Sequence, residues 1–292
     1  MTLPWQGLAL AAAGSIAFSG KAIIVKLAYQ YGVDAVTLIM YRMLFALPMF
    51  ALLAWWAGRG QPPLSRRDLG VVAGLGFSGY YLASFLDFAG LAYITASLER
   101  LILYLNPTLV LALSVLLHKA RVKPAQVVAL AVSYAGVLLV FGHEVRLEGG
   151  DVLLGSGLVF ASAVSYAVYL VYSGAHVKRL GALRLTGWAT SVACVLCIAQ
   201  FLLLRPLSAA AVAPEVLWLS ALNAVACTFA PVLMVMMAIE RVGPTVTAQT
   251  GMIGPLATIA LGVWLLGEPF TGWLVAGTAL VLAGVWLLAR AR

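Results

Sequence analysis

Read from its amino terminus, the chain alternates long apolar runs with short links that carry glycine, proline or charge. The runs cover residues 4–28, 35–57, 69–92, 95–117, 124–142, 152–174, 186–204, 215–239, 244–266 and 270–289. Each is close to or above the roughly 20 residues that carry a helix across hydrocarbon. The links hold turn chemistry, as in Gly-Arg-Gly-Gln-Pro-Pro at 58–63, Glu-Gly-Gly-Asp at 148–151 and Gly-Glu-Pro at 267–269. This pattern predicts an all-α integral membrane protein of ten transmembrane helices, with no room for a sizeable domain outside the bilayer. The first run follows Met1–Trp5 without a basic lead or a small-residue cleavage site and reads as a retained helix.

Composition agrees with the pattern: of 292 residues 63% are hydrophobic and 10% charged, too few charges to clothe a water-soluble surface. The formal net charge of +8 does not form a basic face for nucleic acid, because lysine and arginine are scattered through the links. Their distribution between alternate links is lopsided. Arg59, Arg66, Arg67, Lys119, Arg121, Lys123, Lys178, Arg179, Arg184, Arg241, Arg290 and Arg292 fall in the even links and the C-terminus, against Arg146 and Arg205 in the odd ones. Since cytoplasmic loops are enriched in these residues, both termini are predicted to be cytoplasmic. The bilayer is expected to be a bacterial inner membrane. Cys194, Cys197 and Cys227 all lie in apolar runs, so neither a disulfide framework nor a metal site is expected.

The segment from Asn106 to Val140 realigns on Gly254 to Leu288 at one constant offset. Pro107 matches Pro255, Leu113 matches Leu261, and Ala135-Gly136-Val137 matches Ala283-Gly284-Val285. The chain therefore reads as a five-helix repeat over 1–142, a linker at 143–150 and a second repeat over 151–292. An odd number of helices per repeat makes the two copies enter the membrane in opposite directions, the plan of many secondary transporters.

Several stretches resemble the EamA branch of the drug/metabolite transporter superfamily: Gly90–Ser97, Asn106-Pro107, Ala238–Pro244 running on to Gly254-Pro255, and above all Leu265-Leu-Gly-Glu-Pro269 followed by Gly277 and Ala283-Gly-Val285. Lys26 and Arg42 stand where that family often places a Lys closing the first helix and an Arg opening the second. His118-Lys-Ala-Arg121 departs from the family pattern, which usually has a Gly-Glu element there, and Phe18-Ser-Gly20 replaces a tryptophan-glycine pair. The resemblance implies a transporter of small organic molecules, and within the family it is similar to exporters of aromatic and neutral amino acids of the YddG type.

Charges inside hydrocarbon cost about 2.5–3.5 kcal/mol each on insertion scales, so intramembrane ionisable residues are candidate sites. Lys21, Arg42, Asp87, Glu99 and Arg100, with Lys26, all fall in the outer half of the first repeat. They read either as structural ion pairs or as a substrate-facing vestibule. Tyr80, Tyr81, Ser84, Tyr104, Tyr166, Asn223 and Gln249 supply polar or aromatic groups that either line a cavity or pack between helices. Pro107 and Pro255, each near the middle of its run, are expected to bend their helices as paired hinges by freeing the carbonyls of Leu103 and Gly251. No catalytic motif, cofactor loop or metal-ligand spacing stands out. The expected partners are the lipid bilayer and a small-molecule substrate.

Overall fold

The computed structural model describes residues 4–118, 123–148, 151–235, 237–238, 241, 250 and 253–290, and every regular element among them is helical. In chain order these are α1 (Pro4–Tyr29), α2 (Ala35–Gly58), α3 (Arg66–Leu91) and α4, whose halves Ala96–Leu103 and Asn106–His118 are separated by a turn at Tyr104 and Leu105. There follow α5 (Pro124–Glu148), α6 (Asp151–Leu180), α7 (Ala182–Leu204), α8 (Pro214–Val235), α9 (Ile253–Leu266) and α10 (Gly272–Arg290). Among the described residues, eight stretches are long and apolar enough to cross a bilayer, and Leu256–Leu266 and Gly272–Leu287 are shorter apolar helices.

Local chemistry sets several boundaries. Asp34 caps α2 by accepting from Val36 N (2.9 Å) and Thr37 N (3.3 Å), and Ser65 with Asp68 forms a reciprocal capping box at the start of α3. The hydrophilic residues expected to link the two halves are instead the last turns of α5, because nothing in His143–Glu148 breaks a helix before the glycine pair at 149–150.

The surface is apolar in the way a lipid-facing surface must be. All eight tryptophans are exposed, from 39% at Trp188 to 79% at Trp264, and Trp5, Trp55, Trp56, Trp218, Trp273 and Trp286 sit near helix ends, where an interfacial belt would place them. In water such a surface would aggregate.

The helices pack in pairs that the internal repeat maps onto one another. Shifting by the repeat offset turns α1 against α9 into α6 against α4, and α3 against α6 into α8 against α1; all four contacts are extensive. The pairs α5–α10 and α2–α7 map onto themselves. At α5–α10 the backbones touch: a Cβ on Gly136 would lie 2.6 Å from the Gly277 carbonyl oxygen, and one on Gly284 would lie 2.2 Å from Ser133 Oγ. Gly136→Ala is expected to push these helices apart and lower stability by about 1–3 kcal/mol. The thermal midpoint in detergent measures this, with Gly142→Ala as control, since a Cβ there meets nothing within 4 Å. Equal midpoints for the two variants would contradict the close approach.

The symmetry extends to backbone defects. A wide π-turn occupies Gly76–Leu82 in α3 and another occupies Val225–Phe229 in α8, the same place in each repeat. Such turns leave carbonyls without their usual partners, and in hydrocarbon these need others. Hydroxyls provide them: Ser165 Oγ donates to Ser78 O (2.8 Å), Ser162 Oγ to Ala83 O (2.6 Å) and Thr228 Oγ1 to Asn223 O (2.9 Å).

Candidate functional site

The five candidate charges converge in the interior between α1, α2, α3 and α4. Lys21 of α1 lies 2.5 Å from Asp87 Oδ2 of α3 and 3.6 Å from Glu99 Oε1 of α4, and Glu99 lies 3.9 Å from its neighbour Arg100. Arg42 of α2 stacks over the Phe88 ring at 5.1 Å and donates through Nε to Thr228 Oγ1 at 3.1 Å. The π-turn in α8 presents that hydroxyl, and it also sets Asn223 to donate to the Lys21 carbonyl at 3.3 Å. Arg100 ties in α9, donating to Thr258 Oγ1 (3.0 Å) and to Phe18 O of α1 (3.2 Å).

The centre of the cluster is buried, while the Lys21 and Arg100 side chains keep 18% and 13% exposure. Arg42 is 6% exposed, Asp87 2%, Asn223 2% and Glu99 not at all. Isolated charges could not persist here; opposite signs within 4 Å allow it. Pairing is nevertheless incomplete. Arg42 Nη1, Asp87 Oδ1, Asn223 Oδ1 and both Glu99 oxygens are buried with no hydrogen-bond partner. A folded interior rarely leaves so many polar atoms unmatched in one place without a role for them.

Lys26 stands apart, donating to Leu91 O (3.3 Å) and Ile94 O (2.9 Å) where α3 ends. Tyr104 sits at the break in α4, its hydroxyl 3.0 Å from where a Cβ on Gly254 would lie, close to Ser15 and Ser19. Ser84 is half-buried one turn before Asp87. Tyr81 belongs to a row of rings on α3, Phe77, Tyr81, Phe85 and Phe88, spaced to share one face and ending beneath Arg42. Tyr80 and Tyr166 are not brought to the charges. They pack with Tyr169, Tyr80 sharing a hydrogen bond with it at 3.1 Å and Tyr166 stacking on it at 5.5 Å. Gly79 admits that ring, for a Cβ would fall 2.3 Å from it.

Gln249 lies outside the described residues, as does Gly251. Pro107 is the second residue of the second half of α4, which follows the turn at Tyr104 and Leu105. Pro255 is the third described residue of α9. Cys194 and Cys197 are buried and unpaired by disulfide, Cys194 packing against Met43 at 3.7 Å.

One functional contact was not foreseen. Glu268, in the link after α9, accepts from Ala96 N (2.6 Å), Ser97 N (3.2 Å) and Ser97 Oγ (2.6 Å), so its carboxylate holds the first turn of α4 just before Glu99 and Arg100. Gly267, at φ +68°, turns the chain there, and Gly262 leaves room for the carboxylate: a Cβ would meet Glu268 Oε2 at 2.7 Å. In the other repeat, the position equivalent to Glu268 is Ala120 and that equivalent to Ala96 is Pro244. The carboxylate is thus missing from the other repeat's sequence, and Pro244 has no N–H to offer one.

An open cleft of about 340 Å³ lies elsewhere, between the end of α1 and the start of α8, lined by Leu27, Gln30, Tyr31, Pro214, Glu215, Trp218 and Leu219. It contains none of the unmatched atoms, and the buried cluster is the better candidate.

The model of the EamA-like transporter family matches residues 5–142 and again 153–290. The chain is 30% identical over 264 residues to a Bacillus subtilis (strain 168) protein named "Uncharacterized transporter YcbK", covering 87% of this chain and 83% of that one. It is 25% identical over 228 residues to an "Uncharacterized transporter" of Archaeoglobus fulgidus, covering 77% and 79%. A solved crystal structure shares the fold at a TM-score of 0.64 and 20% identity, over 98% of both chains. With two matches to the family model that together cover nearly its whole length, this chain belongs to the EamA-like transporter family, a multi-pass membrane transporter of the drug/metabolite transporter superfamily.

Proposed function

We infer that the protein exports small amphipathic metabolites, aromatic or neutral amino acids first, across a bacterial inner membrane by alternating access. In this reading it has ten spans in two inverted five-helix repeats, both termini are cytoplasmic, and Pro107 and Pro255 mark the bends about which the repeats rock. The observation that supports the substrate class is the set of unmatched atoms, which includes both kinds: a guanidinium donor at Arg42, and acceptors at Asp87, Glu99 and Asn223. A zwitterion fits both at once, its carboxylate on Arg42 and its ammonium among the acceptors. The ring row Phe77–Tyr81–Phe85–Phe88 gives an aromatic side chain a stacking surface beside it.

Purified protein in liposomes tests the reading. Aromatic or neutral amino acids should show saturable flux, competed by analogues that keep both the amino and carboxyl groups and not by the matching amines or acids alone. Arg42→Gln is expected to raise the half-saturating concentration about tenfold or more, since a charged hydrogen bond contributes about 1.5–3 kcal/mol. Linear flux without competition would mark a channel. Saturable flux of other solutes only would reject the amino-acid assignment.

A further inference from the structure

We propose that Lys21 is a tethered counter-cation, occupying the ammonium subsite formed by Asp87 and Glu99 whenever no substrate is bound, so that the empty carrier returns without a coupling ion. The proposal rests on the reading of an ammonium-bearing substrate. Three observations carry it.

First, the Lys21 ammonium is the same chemical group as the one the site would receive, and it bridges both acids, at 2.5 Å and 3.6 Å. Second, the other cations are anchored through their Nε atoms, Arg42 keeping Nη1 unmatched. Arg100 is held by Thr258 and Phe18, and Arg42 by Thr228 and the Phe88 ring. Lys21 has a flexible four-carbon stem and a side chain 18% exposed, while the acids have 2% and 0%. It is the cation with somewhere to go. Third, an alternating-access carrier must close over its empty site on every cycle, and a buried carboxylate left without a partner is a heavy penalty at that step. Either an ion from solution accompanies the return or the protein supplies the charge itself.

Lys21 supplies it. An arriving ammonium takes over Asp87 and Glu99 and displaces the lysine; departure brings the lysine back. The neutral zwitterion then crosses with no accompanying proton or sodium ion, and flux follows the substrate gradient alone. The groups facing Lys21 that bear on its pH behaviour are Asp87 on α3, Glu99 and Arg100 on α4, Arg42 on α2, and Cys227 on α8, whose sulfur lies 3.0 Å from where a Cβ on Gly20 would be.

The experiment compares exchange, with amino acid on both sides of the liposome, against net efflux into amino-acid-free buffer. In the unmodified protein the two should run at similar rates, and collapsing a pH gradient with an ionophore should change neither. Lys21→Ala is expected to slow both, but to cut the ratio of net efflux to exchange roughly a hundredfold at about pH 8, because the empty site must then close over an unpaired acid. At about pH 5 protons can replace the lysine, and the ratio should recover. An unchanged ratio, no recovery on acidification, or ionophore-sensitive flux in the unmodified protein would overturn the proposal.

A second measurement needs no substrate. In a Cys194→Ser/Cys197→Ser background, Cys227 should be alkylated from either side of the membrane, and the ratio of the two rates at a given pH, from which the thiolate fraction cancels, should be the same at about pH 8 and about pH 5. With Lys21→Gln added, that side-to-side ratio should be strongly skewed at about pH 8 and return to the unmodified value at about pH 5. An unskewed ratio in the glutamine variant at both pH values refutes the role of Lys21. Absence of any amino-acid flux in the unmodified protein refutes instead the substrate reading.

Discussion

Asp87→Ala is expected to abolish measurable transport and to lower the stability of the folded protein by about 3 kcal/mol, as breaking a buried ion pair from one side does. Asp87 is 2% exposed, and its Oδ2 takes the 2.5 Å contact from Lys21. Its removal leaves Lys21 with Glu99 alone at 3.6 Å. The double variant Lys21→Ala/Asp87→Ala separates the two losses. Stability should largely return, because neither charge is then left unbalanced and Glu99 keeps Arg100 at 3.9 Å; transport should not, because the subsite is gone. Thermal unfolding in detergent and liposome flux measured on the same preparations decide it. A double variant as unstable as Asp87→Ala would mean that the aspartate holds the fold through contacts other than the lysine.

The second large effect is expected at Glu268. Its carboxylate accepts three hydrogen bonds from the start of α4, and bonds to a charged acceptor contribute about 1.5–3 kcal/mol each. Glu268→Ala should therefore release the first turn of α4 from the link after α9 and cost about 3 kcal/mol in all, the three bonds not being independent. Glu268→Gln, which keeps an acceptor without the charge, should lie between. Hydrogen exchange at Ala96 and Ser97 reports the release directly: their amides are protected while the carboxylate holds them. Unchanged exchange in the alanine variant would show that packing, not the carboxylate, fixes this end of the helix.

Much of this was legible in the residue pattern. Apolar runs and their links locate the helices, because only hydrocarbon requires spans of that length with so few charges. Intramembrane ionisable residues marked Lys21, Arg42, Asp87, Glu99 and Arg100, and the structure joins them, since burial makes each the partner the others need. Side-chain direction was not legible. Tyr80 and Tyr81 are adjacent in sequence, yet one packs with Tyr169 and the other joins the ring row, a difference set by helix phase rather than residue type. The role of Glu268 was hidden for another reason. Gly-Glu-Pro reads as a turn, and its acceptor function appears only once α4 is placed against it. Its asymmetry was nonetheless visible in His118-Lys-Ala-Arg121, where the first repeat lacks the corresponding acid.

The paired π-turns act as phase shifters. Each α-helical residue advances the side-chain direction by about 100°, so one extra residue within a turn swings everything beyond it by that amount relative to an unbroken helix. In α3 the turn at Gly76–Leu82 precedes Asp87, and in α8 the turn at Val225–Phe229 contains Thr228. Restoring α-geometry in α3 with every residue kept would therefore point Asp87 away from Lys21 while leaving the span's length unchanged and its composition almost so. Whether this membrane protein has a functional interior depends, to that extent, on azimuth rather than on hydropathy.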